Sequence, residues 1–169
     1  MEFRPSGRLL ALLASTHGPM NDSHINVGPI ACRLSQLTVF TNDANPPFSE
    51  TVLQSHQPFS LKVIVEFSGP GAIALMPLAP AIQVEFYTKP LSPETGTILG
   101  SIQVNTRPDV LIYEPTINLG TPLSIGLRPK TIYRIGAVLR VGALDWPSLI
   151  TGYTEEVTVE IYARVERSK

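Results

Sequence analysis

The chain has 169 residues, enough for one continuous hydrophobic core with a tail or long loops to spare. Apolar residues make up 43% and charged ones only 16%, below the roughly 25% of an ordinary soluble domain. Thirteen Lys and Arg against fourteen Asp and Glu leave a formal charge of −1, which provides no electrostatic footprint for nucleic acid, and the single Cys32 excludes both an internal disulfide and a thiolate-based zinc site.

In chain order, residues 1–33 stand apart from the rest of the chain. Arg4 and Arg8 precede LLALLAS, an outline of the charged and apolar regions of a secretory signal, but the run is short and no A-x-A cleavage pattern comes after it. The segment reads as an N-terminal leader or extension, with Met20 as an alternative start. On that reading the cytoplasm is favoured over secretion. No run approaches the roughly 18 apolar residues of a membrane-spanning helix, so no transmembrane insertion is expected. Asn21-Asp22-Ser23 matches a glycosylation sequon, a three-residue pattern that chance supplies readily.

From Leu34 to the end, a single β domain is expected. Period-two alternation predicts strands over 34–41, 58–67, 82–89, 98–105, a broken run through 109–120, then 122–127, 131–141 and 155–165. Turn signals NDANPP, GPG, LSPETG, TRP and LRP separate them, and no helical pattern is interleaved. About seven short strands in this arrangement predict an all-β, two-layer antiparallel sandwich.

The pleat assigns faces. Phe59, Leu61, Val63, Val65 and Phe67 point inward, as do Ile82, Val84 and Phe86, and Tyr133, Ile135, Ala137, Leu139 and Val141 match Val157, Val159, Ile161 and Ala163 in parity. Lys62, Glu66, Arg134, Arg140, Glu156 and Glu160 fall on the solvated faces. A simple hairpin between 131–141 and 153–163 would place Arg134 opposite Glu160 and Ala137 opposite Val157.

The segment GLRPKTIYRIGAVLRV, residues 126–141, resembles the joint between strands E and F of fibronectin type III domains, where Leu-x-Pro-x-Thr-x-Tyr makes a tyrosine corner; here the pattern falls on Leu127, Pro129, Thr131 and Tyr133. The resemblance implies an immunoglobulin-like sandwich in which residues 58–67 form strand B, 82–89 strand C and 155–165 strand G. It also implies a hydrogen bond between the Tyr133 hydroxyl and backbone near 127–129. Phe67 stands where the family usually has Trp, and the loop after it is longer than usual. A jelly roll or C2-like sandwich is the alternative.

That long loop, GPGAIALMPLAPA over 69–81, is almost wholly apolar. So is GALDWPSLITG over 142–152, which holds the only tryptophan. In the type III topology both loops emerge at one end, which would gather Ile73, Leu75, Met76, Leu78, Leu144, Trp146 and Leu149 into a protein-binding pole. The competing reading is that these side chains fold inward as a lid on the core.

Enzyme chemistry finds little to work with. His17, His24 and His56 show no metal-ligand spacing, and Asp22, Asp43, Asp109 and Asp145 are too scattered for a calcium loop. No nucleophile elbow or phosphate-cradling loop appears. Glu66 and Glu85 are the one candidate carboxylate pair, and their parity on strands makes them solvent-facing residues first. The expectation is therefore a protein without enzymatic activity and without a cofactor, built to bind a protein partner or itself. The alternative is a secreted or surface-attached domain that recognises a ligand or carbohydrate through Trp146.

Overall fold

A computed structural model describes residues 29–41, 49–93, 95–143 and 145–163, except for the side chains of 146–148. The leader over residues 1–28 therefore lies outside the described residues, as does Leu144. Among the described residues, ten strands build two facing sheets. They are β1 (Ala31–Thr41), β2 (Val52–Gln54), β3 (Phe59–Ser68), β4 (Ala81–Pro90), β5 (Thr97–Asn105), β6 (Ile112–Tyr113), β7 (Thr116–Asn118), β8 (Thr131–Ala143), β9 (Trp146–Tyr153) and β10 (Val157–Tyr162). The smaller sheet runs β1-β3-β6, with β7 also on β3; the larger runs β2-β10-β8-β4-β5, with β9 also on β8. All of these pairs are antiparallel except β2 with β10.

Alternation is what makes two layers close. The inward sets read from β3, β4 and β8 are all buried, with Phe59, Leu61, Val63, Ile82, Val84, Phe86, Ile135 and Val141 fully so. Val159 and Ile161 of β10 join them, and Leu53 of β2 and Val39 of β1 complete the floor. Each such side chain contributes about 1.5 to 3 kcal/mol on burial, offset by chain entropy of comparable total size.

Four expectations are corrected. First, the strand expected over 34–41 starts three residues earlier, at Ala31. Second, 122–127 is not a strand: Leu123–Ile125 form a 3-10 turn after Pro122, closed by Gly126 at φ 85 and tied by the Ser124 hydroxyl to the Thr121 carbonyl at 2.8 Å. Third, 142–152 is not a loop, because β9 folds back onto β8 with Val138 opposite Tyr153 and Val141 opposite Ile150. Fourth, since β9 consumes that chain, β10 reaches β8 two residues later than a simple hairpin would bring it. Arg134 lies opposite Thr158, Ile135 opposite Val157, and Glu160 opposite Ile132. The shift is even, so every side chain keeps its face.

The hand-over from β9 to β10 along β8 is made by Thr154. Its N–H donates to the Ala137 carbonyl, and its hydroxyl accepts from the Ala137 N–H, both at 3.0 Å. One residue thus satisfies both backbone groups of Ala137 where the flanking strand changes.

Candidate functional site

The register places one end of the sandwich. Ala81 opens β4 opposite Gly142 of β8 on one side and Asn105 of β5 on the other. Segment 69–80, the turn after Asn105 and the β8–β9 turn therefore leave the large sheet at the same pole. Thr106 fastens the second to the first, its N–H and hydroxyl both donating to the Pro80 carbonyl, at 3.0 and 2.9 Å.

Segment 69–81 is helical rather than irregular. Gly69 at φ 88 makes the turn out of β3, and a Cβ there would sit 2.5 Å from the Pro29 carbonyl oxygen. Pro70 then begins α1 (Pro70–Leu75), followed by a 3-10 turn over Met76–Leu78 that ends at Ala79 in the left-handed region. One helical face carries Ala72 and Met76 into the core, with Leu75 packed partly against it. The other face presents Ile73, 65% exposed, and Leu78, 76% exposed.

The expected site thus divides. Ile73 and Leu78 are open, and Met76, at 1% exposure, is a lid residue. Leu149 is exposed but stands on β9, between Trp146, paired with Ala143, and Ile150, paired with Val141. Trp146 opens that strand rather than riding on a loop. Part of the segment therefore caps the core, and part of it faces solvent.

The residues that sequence reasoning passed over lie in the turn 106–113. Pro108 and Asp109, the latter at φ 64, reverse the chain, and the Tyr113 hydroxyl closes the turn from inside. It accepts from the Arg107 N–H at 2.8 Å, donates to the Val110 carbonyl at 2.9 Å and lies 3.8 Å from Met76 Sδ. The Tyr113 ring meets Phe67 edge-on at 6.1 Å. A cleft of about 210 Å³ between this turn and α1 is lined by Ile73, Met76, Asp109 and Leu111. A partial signal for this corner exists in the chain: Arg107-Pro108 with Tyr113 resembles Arg128-Pro129 with Tyr133, but with one more residue between proline and tyrosine. At the second of these, Lys130 takes φ 58 and the Arg128 N–H donates to the buried Tyr133 hydroxyl at 2.9 Å. The expected corner bond is therefore present, with the hydroxyl as acceptor.

A second hollow, about 500 Å³, lies where β1 passes the β9–β10 corner, lined by residues including Arg33, Gln36, Tyr153 and Glu155. A bulge between Ser35 and Thr38, with Gln36 at φ 52, bends β1 there. On the outer face of the large sheet, Glu156 accepts from the Tyr87 hydroxyl at 3.2 Å and faces Lys89 and Arg134 at 3.4 and 3.9 Å. Burial, and then the Glu156 charge, hold the Tyr87 hydroxyl above its ordinary pKa. These groups form a solvated ion network across β4, β8 and the start of β10.

Glu66 and Glu85 do not pair: they stand on β3 and β4, in different sheets, on the outward-facing parity of each. Burial pushes the Cys32 thiol up to about 11, so it is neutral at physiological pH. Among the described residues no three His, Cys, Asp or Glu gather as a metal site, and no helix is long and apolar enough to cross a membrane.

No protein-family profile matches the chain, and no curated protein does. Among solved structures it is similar to the C-terminal domain of Wzt, with a TM-score of 0.49 at 8% identity over 80% of this chain and 74% of that one. It is also similar to a β-glucosidase from Listeria innocua in complex with glucose, with a TM-score of 0.43 at 11% identity, over 80% of this chain and 16% of the enzyme. A third similarity is to Spo0M, a sporulation control protein from Bacillus subtilis, with a TM-score of 0.42 at 10% identity, over 79% of this chain and 50% of that one. The chain thus spans about a sixth of the β-glucosidase and half of Spo0M. Nothing about function follows from likenesses this distant.

Proposed function

We propose that this chain is a non-enzymatic protein-interaction or scaffold module, of the fibronectin type III kind, that meets its partner through the pole formed by α1 and the 106–111 turn. The observation that carries the reading is the division of labour within one short segment. Ala72 and Met76 anchor it in the core, while Ile73 and Leu78 are held out to solvent, Ile73 beside a cleft it lines with Met76, Leu111 and Asp109, and no charged residue falls anywhere in 69–81. Pro70, Pro77 and Pro80 hold the segment in place before binding, so less chain entropy is lost when a partner docks. The type III assignment is supported by the tyrosine corner at Tyr133, where the chain passes from β7 of the small sheet to β8 in the middle of the large one.

The test is the double variant Ile73→Ser, Leu78→Ser. Its stability should stay within about 0.5 kcal/mol of wild type, because both side chains already face water. Its affinity for the protein that the wild-type chain retains from its native cell should fall at least about tenfold. A variant that binds that protein as wild type does, or that unfolds, overturns the proposal.

A further inference from the structure

A sheet edge is a row of unpaired backbone groups, and the edges of this sandwich differ sharply in how they are protected. β1 is kinked by its bulge, carries Arg33, and has its far end occupied by Ser49 and Glu50, which bond Val39 and Thr41. β2 has three residues, and β6 and β7 have two and three, separated by Glu114 and Pro115. β9 contains Pro147 and a register shift. β5 runs for nine residues, TILGSIQVN, with no charge and no proline, and beyond the single irregularity near Leu99 its pairing with β4 is regular from Gly100 to Asn105.

We infer that this edge is a self-association surface: five residues within 100–105 of one copy pair antiparallel with the same five of a second copy, extending the large sheet across a twofold axis. The occupant is set by self-complementarity. A twofold axis perpendicular to the sheet keeps each face on its own side when it is centred on a residue, and the two centres that give the longest overlap over this stretch are Ile102 and Gln103. Centred on Ile102, that residue meets its own copy and Ser101 meets Gln103. Centred on Gln103, Ile102 meets Val104 and Ser101 meets Asn105. In both, aliphatic side chains meet aliphatic ones on the inner face and neutral hydrogen-bonding side chains meet one another outside. A strand without charge faces itself with no like-charge contact.

The inner rim is not fully covered within one chain among the described residues. Ile102 and Val104 are only partly buried against the core, and the rim continues below into Ile117, whose Cδ1 would lie 2.6 Å from a Gly100 Cβ. Five paired residues span about 17 Å, placing the contact at the small end of specific interfaces and making the dimer weak and concentration-dependent.

Sedimentation velocity over a concentration series, on the full chain, tests this. Wild type should shift from monomer to dimer by about millimolar concentration. Ser101→Lys with Gln103→Lys should weaken dimerisation at least about tenfold without lowering the melting temperature, because both sites face solvent and each pairing centre brings lysines together. Ser101→Glu with Gln103→Glu should do the same, and an equimolar mixture of the two variants should dimerise again. Wild type that stays monomeric overturns the inference. So does a lysine variant that dimerises like wild type, or dimerisation lost in Ile73→Ser, Leu78→Ser but kept in the lysine variant.

Discussion

Tyr133 and Tyr113 do the same physical work at two places in the fold. Each buries a ring and accepts at its hydroxyl from a backbone N–H, of Arg128 and Arg107 respectively. Tyr113 also donates to the Val110 carbonyl, so it satisfies two backbone groups directly. Tyr133→Phe should therefore destabilise by about 1 to 3 kcal/mol with the fold retained, and Tyr113→Phe should be the costlier of the two in denaturant titration. Equal or negligible losses would mean that water replaces the hydroxyls. The corner at Tyr133 is legible in the sequence because its pattern is compact. The one at Tyr113 is not: one extra residue, Leu111, separates its Pro-x pair from its tyrosine and interrupts the spacing.

At the scale of elements, both corners depend on a residue after proline in the left-handed region, Asp109 at φ 64 and Lys130 at φ 58. Neither side chain is needed for that conformation, and Lys130 is exposed, its N–H bonding the Ile161 carbonyl at 2.7 Å. Lys130→Gly should leave stability nearly unchanged. Lys130→Val, branched at a position where Cβ crowds the carbonyl, should cost about 1 to 2 kcal/mol, measured by thermal melting. Similar melting temperatures for both variants would contradict the geometry. The strands themselves follow from alternation, which is why β3, β4 and β8 lie almost to the residue where the period puts them. β2 escapes that pattern because three residues carry no period, and β9 because WPSLITGY holds a proline and a glycine and its partners lie only on β8.

Across the whole molecule, the pole and the sheet edge are products of closing two layers. The same short segment must cover the end of the core and leave the sandwich, so its helical turn divides into an anchored face and a free one. Met76→Ala should cost about 2 to 5 kcal/mol, since it empties a fully buried position beneath Tyr113, whereas substitution of Ile73 three residues earlier leaves the core intact. Chemical denaturation distinguishes the two. A mild effect at Met76 would mean that the segment is not seated on the core.

What the amino-acid sequence determined by itself was the set of properties that depend on near neighbours: strand period, the inward and outward sets, the turns at proline and glycine, and the corner at Tyr133. These are local, because a pleat alternates and a proline restricts φ whatever surrounds them. Tertiary structure decided the rest. It set the register of β10, displaced by two because β9 occupies the upper half of β8. It placed Glu66 and Glu85 in different sheets, buried Met76 while exposing Leu78, and left the outer edge of β5 unpaired among the described residues. Each depends on which strands become neighbours, and that is decided by the combined burial of residues far apart in the chain, which no local pattern records.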